Sequence, residues 1–419
     1  MAQKRPYRRG GARGGYRGTN PKTNVFNGGF GFAAPPVRVI YDYALDKNNL
    51  DGTKNNLDTV FGKEILDRAA NLTPSADVQK QIEIYTKKIL KALEKEKKER
   101  TLGEFAIEQV MLVGSYVTDT CTHSSDKSDI TVQLNVLPSF ETVSSVGDKI
   151  VEIIKRAEPK EIAMSLPQDY GCVIIGHSCQ VRILVTINPE EANKLEPGLH
   201  LESHQLMLNY FAVRHVNWWQ ELERSMPADF TEEYRALIRV LKDARTRFHG
   251  LGPLSVWAIQ YLAFYCLSNG PNRNRTSLGT AFRRFFEIIA AGVFLPKAPT
   301  LLDPTTPLYR IGFDLTLPQM DSLCMAAQTI VRTFAIGNDG FRAVLGTHGS
   351  AADLTLNSTF YNGQEIFPSA PVFYEGCMNV GLSAPEDLQQ ELQQDLQQQE
   401  HVELATEGMT MAPESVVQA

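Results

Sequence analysis

The sequence lacks long hydrophobic runs and has few cysteines. No apolar stretch in the 419 residues reaches the roughly 18 residues that a membrane-spanning helix needs. The N-terminus is charged and rich in glycine, without the apolar core of a secretory signal peptide. The six cysteines form no CxxC pair, and no close set of cysteine and histidine has zinc-ligand spacing. These absences predict a soluble intracellular protein with free thiols.

The composition is ordinary for a globular protein, but the two ends differ in charge. Hydrophobic residues make up 43% of the chain and charged residues 21%, and the length predicts roughly two to three domains. Residues 1–18 contain six Lys or Arg and no acid, whereas residues 385–419 contain eight Asp or Glu and no Lys or Arg. This asymmetry predicts a nucleic-acid or protein partner at one end and a solvating tail at the other.

Residues 4–18, KRPYRRGGARGGYRG, are of the Arg-Gly-Gly type. Glycine prevents a packed core, while the arginine guanidinium binds phosphates through its planar fork and stacks on bases. The segment therefore predicts a weak RNA-binding arm, with a solvated disordered arm or a nuclear import sequence as alternatives. Its candidate RNA-binding residues are Arg5, Arg8, Arg9, Arg13 and Arg17.

Residues 110–136, VMLVGSYVTDTCTHSSDKSDITVQLNV, follow an order that is typical of the nucleotidyltransferase fold. An apolar strand ends in Gly114-Ser115, thirteen residues follow, and Asp129 then opens an alternating strand. In this pattern the Gly-Ser turn lets the backbone and a hydroxyl approach a nucleotide phosphate closely. Acids at alternate positions of the second strand project from one face and hold divalent metal.

Two of the expected metal-binding acids are missing from this pattern. Thr131 stands where the second acid belongs, and the following strand, CQVRILVTI at 179–187, contains Gln180 and Arg182 but no acid. Polymerase-type nucleotidyl transfer uses two metal ions that are usually held by three carboxylates. The sequence therefore predicts no metal, no catalytic residues and no enzyme activity. An active template-independent RNA nucleotidyltransferase is the alternative.

Hydrophobic periodicity predicts an α+β fold, with one mixed sheet followed by an all-helical part. The predicted helices of the first part cover residues 75–99 and 140–157, and its later strands cover 172–176 and 179–187. The second part is predicted to contain helices at 200–225, 231–248, 253–268, 278–294 and 318–336. Ser75 and Thr231 are the expected N-caps, and Pro253 the expected first-turn residue.

These elements divide the chain into four expected segments. They are a disordered arm at 1–34, a sheet half at 35–198, a helical half at 199–380 and an acidic, Gln-rich disordered tail at 381–419.

Three basic residues recur at helical spacing in the second part of the chain. Arg235, Arg239 and Lys242 lie at i, i+4 and i+7. If this face looks into the cleft, it is a phosphate clamp. The alternatives are a basic surface face, or Arg239 paired with an acid such as Asp243. The candidate nucleotide-binding residues are Gly114, Ser115, Asp129, Arg239 and Lys242.

Longer segments of the sequence resemble known families. LIRVLKDARTRFHGLGPLSVWAIQYLAFYC (237–266) resembles the helical half of oligoadenylate synthetases and poly(A) polymerases. The chain is more similar still to the domain associated with zinc fingers, DZF, over about residues 35–380. The segments that carry this resemblance are LGEFAIEQVMLVGSY (102–116), RILVTINPE (182–190), AAGVFLPKAPTLLDP (290–304) and AAQTIVRTFA (326–335).

The DZF resemblance implies a catalytically inactive, nucleotidyltransferase-like fold. Such domains heterodimerise through the helical half with a DZF partner that carries double-stranded-RNA-binding domains or zinc fingers. The implied setting is nuclear, with some cytoplasmic presence, in transcription, RNA processing and translation, on RNA or DNA and not at a membrane. No cofactor is expected, and a nucleoside triphosphate bound without metal is the alternative left open. A protein that binds RNA alone, through its arm, is a further alternative.

The resemblance also assigns positions in the cleft. Gly114 and Ser115 match the phosphate-contacting turn of the family, and Asp129 matches the surviving acid position. Arg239 and Lys242 match basic positions of the cleft.

Overall fold

The computed structural model describes residues 60–270, 275–296, 298, 301–306, 309–348, 353–361 and 363–370. The predictions for the Arg-Gly-Gly arm, including its five arginines, and for the acidic tail lie outside these residues. No helix in the described ranges is both long and apolar enough to cross a membrane.

Five strands form one mixed sheet in the order β1-β2-β5-β4-β3. Strands β2 and β5 run parallel, and the other neighbouring pairs run antiparallel. The strands are β1 Ile107–Val113, β2 Lys127–Leu134, β3 Met164–Gln168, β4 Gly171–Ile175 and β5 Gln180–Thr186. Strand β3 was not predicted, because its sequence MSLPQ contains Pro167 and lacks an alternating apolar pattern. The predicted α+β class is confirmed.

Ten α-helices are found in the described residues. They are α1 Val60–Leu72, α2 Ala76–Glu99, α3 Gly114–Val117, α4 Phe140–Ala157, α5 Ser203–Ser225, α6 Ala228–Arg247, α7 Val256–Ser268, α8 Leu278–Ala290, α9 Leu317–Ala335 and α10 Asn338–Leu345. A short hairpin, β6 Thr359–Tyr361 and β7 Gln364–Ile366, follows them. The mixed sheet with α2–α4 is called the sheet half below, and α5–α10 with α1 and the hairpin the helical half.

Amphipathic helices cover one face of the sheet. Helix α2 buries Ile82, Ile89 and Leu93 in the same core as the sheet, because residues at helical spacing lie on one face. Ser75 caps this helix as predicted, because its hydroxyl accepts a hydrogen bond from the Val78 amide. Helix α4 packs beside α2 and matches its predicted boundaries.

The helical half has its own aromatic core, and α1 belongs to it. Helix α1 was not predicted, yet it packs against α6 and α8 and buries Phe61 and Ile65 completely. The rings of Phe61 and Phe341 stack with their centroids 3.8 Å apart. A helix that precedes the sheet in the chain therefore lies in the core of the helices that follow it.

Three helix ends in the helical half differ from the predictions. Thr231 is not an N-cap: α6 begins at Ala228, and the Thr231 hydroxyl donates to the Pro227 carbonyl from inside the first turns. Pro253 is not in α7, which begins after Ser255, whose hydroxyl accepts from the Ala258 amide. The helix predicted to end at 294 ends at Ala290, and Gly292 then adopts a left-handed φ of +89°.

Candidate functional site

The Gly-Ser turn joins β1 to α3 at the edge of the cleft. Gly114 has a φ of +77°, and a Cβ atom at this position would collide with the carboxylate of Asp129. Only glycine therefore fits both the backbone conformation and the space. The turn places the backbone at Gly114 directly against the Asp129 side chain.

Asp129 is paired with a cation on the neighbouring strand. The parallel register of β2 and β5 sets Asp129 opposite Arg182. The Arg182 Nε donates to Asp129 Oδ1 at 2.6 Å, and the side chains are 34% and 13% exposed, respectively. The guanidinium also lies 5.8 Å from the centroid of the Tyr170 ring. The one acid that the sequence placed at the metal position is thus neutralised within the protein.

The other strand positions supply no further carboxylate at this point. Thr131 lies two residues beyond Asp129 on the same sheet face, is 2% exposed, and its hydroxyl donates to the Met111 carbonyl at 3.2 Å. Gln180 contacts Asp126 rather than Asp129. Within the described ranges, no group of three His, Cys, Asp or Glu side chains could hold a metal ion. The donor set around Asp129 does not fit a pair of divalent cations.

Helix α6 contacts the loop after the Gly-Ser turn through Arg239. Its guanidinium donates to Asp119 Oδ1 at 2.9 Å and to the Cys121 carbonyl at 3.3 Å. The alternative that Arg239 pairs with Asp243 is wrong, because the Arg239 partner is Asp119. Arg235, one turn earlier, approaches Asp119 at 4.0 Å and pairs with Glu223. The basic face of α6 therefore contacts the sheet half through Asp119 and Cys121.

Lys242 makes the direct contact with the Gly-Ser turn. Its Nζ donates to Ser115 Oγ at 2.9 Å and to the Thr120 carbonyl at 2.7 Å. Burial lowers the pKa of this ammonium to about 8, an effect that the nearby Cys121 partly opposes. Lys242 forms no ion pair with any described residue. Its positive charge therefore faces the turn without a fixed anion.

The structure brings four of the five candidate nucleotide-binding residues together. Gly114, Ser115, Asp129 and Lys242 form one continuous group, whereas Arg239 contacts the loop beside it. Arg182, which pairs with Asp129, was not among the predicted site residues. The available signal was a basic residue at the strand position where an acid was expected.

The order of elements around this site is that of a nucleotidyltransferase-like α+β fold. An apolar strand, the Gly-Ser turn, a short helix and a strand bearing Asp129 follow one another, and a helical half comes next. Solved structures similar to this chain include the CdnC protein of E. coli MS115-1 in complex with HORMA-deltaN. It shares 16% identity and a TM-score of 0.48, with 68% of this chain and 98% of that chain covered.

Two further solved structures are also similar to this chain. A cytoplasmic RNA terminal U-transferase shares 11% identity and a TM-score of 0.48, with 69% of this chain and 99% of that chain covered. Cid1 in complex with the UTP analogue UMPNPP shares 12% identity and a TM-score of 0.44, with 65% and 93% covered.

Family models identify the chain over most of its length. The model of the DZF N-terminal domain matches residues 23–224, and the model of the DZF C-terminal domain matches residues 233–367. The boundary between the two lies between α5 and α6, close to the start of the helix that carries Arg239 and Lys242. The protein belongs to the DZF domain family, as the resemblance of its sequence implied.

Proposed function

We propose that this protein is a non-catalytic DZF subunit that binds a nucleoside triphosphate without metal and associates with a second DZF protein. The hydrogen bond from Arg182 to Asp129 carries the first part of the proposal. The guanidinium at this position forms an ion pair with Asp129 and occupies the place of a metal ion beside this carboxylate. It cannot lower the pKa of an attacking hydroxyl as a bound metal ion does, so the site can bind a nucleotide without transferring it.

The Gly-Ser turn supports phosphate binding. Its backbone lies close enough to Asp129 that only glycine fits, and the Ser115 hydroxyl is held by the Lys242 ammonium. An ammonium and a hydroxyl at a glycine turn offer donors to a phosphate oxygen. Because Lys242 has no carboxylate partner in the described part of the chain, its charge is available to a bound anion.

Metal-independent binding without turnover is the direct test. We expect ATP to bind equally well in EDTA and in Mg²⁺, as measured by isothermal titration calorimetry. Lys242→Met should raise the Kd about ten- to hundredfold, because a hydrogen bond from a charged donor is lost. With labelled nucleoside triphosphates, Mg²⁺ or Mn²⁺ and an RNA primer, no extension is expected.

Lys98→Met, on the exposed face of α2, is the matched control and should bind ATP as the wild type does. Primer extension by the wild type that disappears in Asp129→Ala would show that the protein is an active transferase, and would end the non-catalytic proposal.

The lowered pKa of Lys242 predicts pH-dependent binding. Below pH 8 the ammonium is charged and attracts phosphate, and above it the amine becomes neutral. We therefore expect the Kd for ATP to rise about tenfold between pH 7 and pH 9, since charge is lost about tenfold per pH unit above the pKa. Lys242→Arg keeps a permanent charge and should flatten this profile. If the Kd of Lys242→Arg for ATP still rises steeply with pH, a group other than Lys242 causes the pH dependence.

An exposed apolar surface supports the second part of the proposal. Phe360 of β6 and Phe367, the residue directly after β7, are 69% and 61% exposed, whereas Ile366 at the end of β7 is buried. Leu356, before the hairpin, is 58% exposed. Clustered exposed aromatic residues mark protein interaction sites. We assign this hairpin surface to the helical half of a DZF partner.

The partner in this proposal carries double-stranded-RNA-binding domains or zinc fingers, and the complex acts in the nucleus in transcription and RNA processing. The Arg-Gly-Gly arm adds electrostatic contact with RNA or DNA. A permanent interface of this kind buries more than about 2,000 Å², so the hairpin surface forms part of a larger contact.

A further inference from the structure

A cavity of about 410 Å³ lies beside the Gly-Ser turn, between the two halves of the chain. Helix α6 forms one wall and the loop after α3 forms the other, with the end of α1 beneath. Its lining includes Thr122, His123, Ser124, Lys242, Asp243 and Arg245.

Two cations in the wall of this cavity have no acidic partner among the described residues. Lys242 donates to neutral acceptors, and Arg245 donates through Nε to the Gly252 carbonyl at 3.1 Å. Burial lowers the pKa of both groups, because each has lost water without gaining a carboxylate. Such partly buried charges are costly unless an anion compensates them.

Asp243, the acidic residue in the cavity wall, already accepts hydrogen bonds from two arginines. Asp243 Oδ2 accepts hydrogen bonds from Arg68 at 3.0 Å and from Arg247 at 2.8 Å, so this group of three side chains carries net positive charge. It therefore cannot neutralise Lys242 or Arg245. The cavity wall formed by α6 therefore remains positively charged.

We propose that this cavity binds a compact anion with two or more phosphate groups, which bridges the sheet half and the helical half. Lys242 and Arg245 provide the charge, and the loop residues Thr122, His123 and Ser124 face them with hydroxyl and imidazole donors. The cavity is larger than a single phosphate group requires. A free oligophosphate and the terminal phosphates of a nucleotide share this chemistry.

The proposal goes beyond nucleotide binding at the turn, because Arg245 and the 122–124 loop form no hydrogen bond with Gly114 or Ser115. The two sites meet at Lys242, whose ammonium contacts Ser115 and also lines the cavity. Substitution of Arg245 therefore tests the cavity site, and substitution of Ser115 tests the site at the turn.

Titration of the full chain with inorganic tripolyphosphate in EDTA tests the proposal. We expect binding that Arg245→Gln weakens about tenfold or more, because a charged donor is lost while the size of the side chain is nearly kept. Ser124→Asp, an exposed substitution at the cavity wall, should weaken binding as well by repulsion. Lys98→Met, whose exposed side chain lies outside the cavity lining, should leave the affinity for tripolyphosphate within about twofold.

Parallel titrations with ATP and orthophosphate identify the source of the phosphates. If Arg245→Gln weakens ATP and tripolyphosphate alike, the cavity holds the phosphates of a nucleotide. If it weakens tripolyphosphate alone, the ligand is a free oligophosphate. The absence of tripolyphosphate binding to the folded chain overturns the proposal, as does binding that depends on Ser115 and not on Arg245. ATP binding that responds to Ser115→Ala supports the turn site whichever result the cavity gives.

Discussion

Replacing both Thr131 and Arg182 by aspartate is expected to create a Mn²⁺ site, tightening the Kd by about a hundredfold or more over the wild type. Thr131 shares a sheet face with Asp129, and Arg182 lies directly opposite Asp129 in the β2–β5 register. The double substitution therefore places three carboxylates on adjacent strands and removes the cation that neutralises Asp129. Mn²⁺ titration followed by electron paramagnetic resonance measures the free and bound ion directly.

The matched control replaces the same two residues by asparagine, which has the size of aspartate without its charge, and no tight Mn²⁺ binding is expected. The aspartate variant should also melt at a lower temperature without metal and recover on adding Mn²⁺, because three carboxylates repel one another. Wild-type protein that binds Mn²⁺ as tightly as the variant would show that Arg182 does not exclude metal, and would remove the main support for a non-catalytic site.

Charge on the β6–β7 hairpin is expected to abolish association with a DZF partner. Phe360→Glu combined with Phe367→Glu removes two exposed aromatic residues, and each such anchor contributes about 2 kcal/mol or more to an interface. The Kd should therefore rise by more than about a hundredfold. Because both side chains are mostly exposed in the chain itself, its fold should persist. Sedimentation of the mixture with a purified DZF partner measures the complex.

Phe140→Glu is the matched control, since Phe140 is 56% exposed but lies at the start of α4 in the sheet half. It should associate with the partner as the wild type does. Full association of the hairpin variant, or a loss caused by Phe140→Glu alone, would place the interface on another surface.

Local sequence patterns were sufficient to predict the elements with strong hydrophobic periodicity. The apolar face of α2 and its Ser75 cap could be read directly, because both depend on residues three to four positions apart. Strand β3 was not predicted, because most residues of MSLPQ are exposed and its pairing with β4 depends on the strand register. Helix α1 was not predicted, because its stability comes from packing on helices that are distant in the chain. The stacked rings of Phe61 and Phe341 are an example of this packing.

The sequence by itself determined the family, the Gly114-Ser115 turn, the single acid at Asp129 and the absence of carboxylates at Thr131 and on β5. These are statements about which residues occur at which spacing. Tertiary structure decided that Arg182 neutralises Asp129, because strand register fixes which side chains are neighbours. It also decided that Lys242 faces Ser115 with a lowered pKa, because burial is a property of the folded chain.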